Sequence, residues 1–75
     1  MDRALLERHL VQAELHVTQG EHHVARQREI VAGLADDGRD LRSAQALLSE
    51  FQRMLVLHIA HRNLVRTELA ALAIS

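Results

Sequence analysis

From residue 9 the chain repeats its apolar and polar positions every seven residues: HLVQAEL, HVTQGEH, HVARQRE, IVAGLAD. Leu10, Val17, Val24 and Val31 fill one column. Leu6, Ala13, Gly20, Gln27 and Leu34 fill the column that alternates with it at spacings of three and four. That alternation predicts a helix whose a and d positions pack along a second helix. Glu7, Glu14, Glu21 and Arg28 follow the d column as one flank, and His9, His16, His23 and Ile30 form the opposite flank. The small residues Ala13 and Gly20 predict close approach of the partner helix.

The second half of the chain has a wider stripe. Its predicted centre runs Leu47, Phe51, Met54, His58, His61, Val65 and Leu72, with Leu48, Leu55 and Leu69 on one side and Leu57 and Leu64 on the other. Between the two patterns lies GLADDGRD, residues 33–40. Gly38 suits a left-handed helix C-cap, and Asp40 and Asp2 suit N-caps. The expected elements are a helix over about 2–36, a turn over about 37–40 and a helix over about 41–74. So short a connection makes the helices antiparallel, giving an all-α fold, an antiparallel helical hairpin spanning residues 1–75.

The segment Met54–Ala60 is apolar nearly all round, and one companion helix covers only one strip of it. Exposing a second strip costs several kcal/mol at ~25 cal/mol per Å², in a chain too small to spare it. Self-association of two hairpins into a four-helix bundle solves this, so a homodimer is expected. The predicted core and interface are Leu6, Leu10, Ala13, Val17, Gly20, Val24 and Leu34 from the first helix, with Leu47, Phe51, Met54, Leu55, Leu57, Leu64, Val65 and Leu72 from the second.

Composition narrows the chemistry. The 75 residues are 48% hydrophobic and 25% charged, too apolar for a disordered tail. The absence of Cys removes disulfides, Cys-bound zinc and thiol catalysis. A formal net charge of -1 asks for neither nucleic acid nor an acidic membrane. The longest apolar run, Leu69–Ile74, is far short of the roughly 20 residues of a membrane span. No signal peptide opens the sequence, so a cytoplasmic location is the default expectation.

Six histidines stand out against a single Phe and no Tyr or Trp. His22 is predicted to point outward and the other five to lie on or beside the seam. Counting from the turn sets His16 opposite His61, one turn from His58. His58 and His61, spaced i, i+3, share a helix face, and His16 supplies a third imidazole. Such a set suits Zn, Cu, Ni or haem better than Mg or Ca. Neither His-Glu-x-x-His nor Glu-x-x-His occurs at these positions. The plainer reading has half-buried neutral imidazoles bonded to one another, to Gln27 or Glu68, or to water, with stability falling as the pH drops.

Other chemistry finds little support. Ser43, Ser49 and Ser75 belong to no nucleophile arrangement, and the three Gly form no phosphate loop. His61–Leu69, HRNLVRTEL, resembles the phospho-acceptor box of the histidine-kinase dimerisation hairpin, itself a dimeric four-helix bundle. The likeness covers nine residues. It has Arg62 in place of the acid after the histidine, lacks the bending Pro and sits in the second helix, so no phosphotransfer role is carried over. The expected function is a small, non-enzymatic protein–protein interaction or oligomerisation module, regulatory in character, with itself or another protein as partner. The alternative is a metal- or haem-binding bundle using His16, His58 and His61.

Overall fold

The computed structural model describes residues 2–37 and 40–74. Two helices, α1 (Arg3–Asp37) and α2 (Leu41–Ile74), pack along each other as a hairpin. Asp2 caps α1: its Oδ1 accepts the Ala4 N–H at 3.3 Å and its carbonyl accepts the Leu6 N–H at 3.0 Å. Asp40 opens α2, its carbonyl accepting the Ala44 N–H at 3.3 Å. Its φ of 27° lies in the left-handed region, which Asp tolerates better than most residues. Gly38, the expected C-cap, lies outside the described residues.

The contact between the helices follows two heptad series. In α1 the buried residues are Leu6, Ala13, Val17, Gly20, Val24 and Gln27, with Leu10, Val31 and Leu34 half-buried. These are the a and d columns expected from the repeat. In α2 the series is Leu41, Ala44, Leu48, Phe51, Leu55, His58, Arg62, Val65, Leu69, of which Ala44 and Val65 are buried and the rest half-buried. Here the expectation needs correcting. The centre of the α2 stripe lies one position further round the helix, through Leu48, Leu55 and Leu69. Leu47, Met54, His61 and Leu72, predicted at the centre, are exposed, as are Leu57 and Leu64. A seam one residue wide on a rod accepts only one 3-4 alternation, and α2 carries two that share Phe51, His58 and Val65.

Gly20 sits in the seam, directly against α2. A Cβ built on it would meet Leu55 Cδ1 at 3.1 Å and His58 Cδ2 at 3.7 Å. Toward the turn, Gln27 is buried among apolar residues and its Nε2 donates to the Ala44 carbonyl at 3.0 Å. That bond satisfies a polar group that would otherwise be costly in the seam. It also pins the register, because a one-turn slip would remove it. Gln27 therefore serves the helix pair; the predicted bond from Gln27 to a histidine is not made.

The result is a thin rod, 58 × 14 × 14 Å, with a radius of gyration of 16.9 Å. A compact domain of this length has about 11 Å. No side chain of the described residues is buried below 2% exposure.

Candidate functional site: an apolar, histidine-bearing face

The two long sides of the rod differ in chemistry. One side is formed by the flank after the d column of α1 and its counterpart on α2. It carries Glu7, Glu14, Glu21 and Arg28 against Gln45, Gln52, half-buried Ile59 and Arg66, and is bridged by Arg66 Nη2 to Glu14 Oε2 at 3.3 Å. Both partners are about half exposed, so the bridge contributes well under ~1 kcal/mol. This side is an ordinary solvated flank.

The opposite side is not. His9, His16, His23 and Ile30 run down α1, and Leu47, Met54, Leu57, His61 and Leu64 run down α2 beside them. Among the ten large hydrophobic side chains that are exposed, Ile30, Leu47, Met54, Leu57 and Leu64 all belong to this side. Leu57 and Leu64 are exposed by 63% and 55%, unusual for adjacent leucines on one helix face. Val11 and Leu15 of α1 and Val56, Leu72 and Ile74 of α2 are the other five exposed large hydrophobic residues.

Histidines run along the inner edge of this face. The His16 and His58 rings pack with centroids 5.3 Å apart, tilted by 45°. The His23 ring meets Phe51 at 5.4 Å, tilted by 35°. Between these pairs the missing side chain of Gly20 leaves a hollow of about 80 Å³ lined by His16, Gln19, His23, Phe51, Met54 and His58. A shallower hollow of about 230 Å³ follows toward the open end, lined by His9, Gln12, Ala13, His16 and His61. Both are smaller than the ~300–1,000 Å³ that small-molecule sites occupy.

The structure thus brings together five of the six histidines on one side, as the spacing predicts, and leaves His22 on the outer surface. The ring that packs on His16 is that of His58, where counting from the turn set His61 opposite it. His61 reaches the same groove as His16 without joining the ring pair. Within one chain, therefore, His16, His58 and His61 do not converge as three ligands. Among the described residues no group of three or more His, Cys, Asp or Glu is placed to hold a metal ion. His58 is half-buried and His61 is exposed, so neutral burial of both is not a property of the single hairpin.

The broad apolar arc on α2 was visible in the sequence, but its division between seam and free face was not. Strict three-and-four counting from Leu41 locates the seam. Arg62 and His58 hide it, because both are polar residues at seam positions. Among the described residues, no helix is long and apolar enough to cross a membrane. Comparison with protein-family models, with curated proteins and with solved structures finds no match in any of the three.

Proposed function

We propose that the chain is a non-enzymatic interaction module that self-associates through its apolar, histidine-bearing face, two hairpins closing into a four-helix bundle. The carrying observation is that Leu47, Leu57 and Leu64, with Met54 and Ile30, half of the exposed large hydrophobic side chains among the described residues, share one side of the rod beside the histidines. The area agrees. The chain exposes 5554 Å², whereas a folded monomer of 8.5 kDa exposes about 4,650 Å². The excess, about 900 Å², is close to the ~800 Å² that each partner loses in a standard-size interface. A face 58 Å long and 14 Å wide supplies about that area. Covering it would place the imidazoles in the middle of the bundle, where polar side chains commonly set register and partner choice at some cost in stability.

Light scattering on the purified chain tests this. The expected mass is twice 8.5 kDa, and the melting temperature of a dimer rises with protein concentration. A Leu57→Glu/Leu64→Glu variant should run as a monomer, because both changes fall on the free face and leave the seam intact. A wild-type chain that is monomeric at millimolar concentration, with a concentration-independent melt, overturns the proposal. The alternative, a metal- or haem-binding bundle, requires stoichiometric metal or a haem spectrum in tag-free protein that disappears with His58→Ala and His61→Ala.

A further inference from the structure

Resting on the self-association proposed above, we infer that the second copy lies with its turn at the same end of the bundle, so that the two-fold axis runs along the rod and α1 of one protomer packs on α2 of the other. The antiparallel hairpin puts residues of α1 and α2 at common levels along the free face. Gly20 against Leu55 and His58 fixes the middle level. Counting outward from it at ~1.5 Å per residue, Ile30 shares a level with Leu47 and Arg26 with Glu50. On the other side of the middle, His16 shares a level with His61 and His9 with Glu68. Met54 shares one hollow with His16 and His23, and His61 shares the other with His9 and His16, in keeping with this counting to within a turn.

With both turns at one end, each level meets its own image. Ile30 then packs on Leu47 of the partner subunit, and Arg26 faces Glu50 of the partner subunit. His16 meets His61 of the partner subunit, and His9 meets Glu68 of the partner subunit. These four pairings are apolar on apolar, opposite charges, or imidazole with a group it can hydrogen-bond; Met54 falls at the level of His23, and Leu57 and Leu64 at those of the neutral Gln19 and Gln12. Arg26 and Glu50 now form only exposed pairs within their own helices, to Glu29 and Arg53 at 3.4 Å each, and such pairs exchange partners at little cost. With the turns at opposite ends the levels invert. Leu47 then lies beside Glu68 of the partner subunit, and Arg26 lies beside Gln12 or Leu64 of the partner subunit. Charges would be dried against apolar or neutral groups with nothing to compensate them.

The chain lacks Cys, so Arg42→Cys accepts a single spin label on the outer surface near the turn. Arg42 lies about 22 Å along the axis from the level of Leu57. Pulsed electron resonance should give an inter-label distance of about 20–25 Å, set by the width of a bundle with helices 8–10 Å apart. A distance of about 45 Å or more means turns at opposite ends and overturns the inference while leaving self-association intact. Absence of any dipolar coupling at high concentration refutes the self-association itself. Independently, mixing Arg26→Glu chains with Glu50→Arg chains should yield mixed dimers in several-fold excess over either parent dimer. A statistical mixture contradicts the same-end arrangement.

Discussion

At the scale of single residues, two glycines in the same helix carry opposite meanings. A Cβ on Gly33 would meet nothing within 4 Å, and the residue lies inside α1. It therefore contributes only the backbone entropy that glycine loses on folding. Gly33→Ala should raise the unfolding free energy by about 0.5–1 kcal/mol, read from chemical denaturation. Gly20 faces Leu55 across the seam. There the helix-propensity gain of Gly20→Ala is offset by the displacement of the Leu55 methyl, and the net change should stay within about 0.5 kcal/mol. Gly20→Leu should push the helices apart and change the assembly state. A Gly20→Leu chain with wild-type mass and stability would show that this approach is unimportant.

Gln27 makes the same point with a polar group. It is 5% exposed, and its bond to the Ala44 carbonyl keeps it satisfied at a seam position. Gln27→Leu removes a donor and leaves the carbonyl at the start of a helix, where it retains its own acceptor role. Stability should hold or rise by about 1 kcal/mol, while the helix register loses its pin. Loss of a single well-dispersed amide spectrum, with the melting temperature maintained, is the expected signature. A fall of more than about 2 kcal/mol would mean that the bond stabilises the chain well beyond an ordinary net hydrogen bond.

At the scale of the helices, α1 was readable and α2 only in part. In α1 the a column is Leu10, Val17, Val24 and Val31 and the flanks are charged or imidazole, so pattern and packing coincide. In α2 leucines occupy both the seam and the free face. The wide stripe gave the correct helix and the correct excess of apolar surface, but placed Leu47, Met54 and His61 at its centre. Phe51 was expected to be core; it is half-buried against the His23 ring, so Phe51→Ala should cost less than the ~3–5 kcal/mol of a fully enclosed aromatic. Adjacent positions separate the two roles. Val65 is 4% exposed and Leu64 is 55% exposed. Val65→Ala should lower stability at every protein concentration. Leu64→Ala should act mainly on the concentration-dependent part of the melt, and equal behaviour of the two would erase the distinction between seam and face.

At the scale of the whole molecule, the proposed self-association would gather the histidines at one interface. The charged and imidazole groups on or beside that face are His9, His16, His23 and Arg26 from α1, and Glu50, His58, His61 and Glu68 from α2, with Arg62 at the seam held by Asn63.

The most direct measurement is sedimentation equilibrium of the wild-type chain at pH 7.5 over a concentration range reaching about 1 mM. Burial of a leucine-rich face of about 800 Å² per partner predicts a single helical species of twice 8.5 kDa at the upper concentrations. A well-folded species that stays at 8.5 kDa throughout would show that Leu47, Leu57 and Leu64 stand permanently in water, and that one companion helix is all α2 requires.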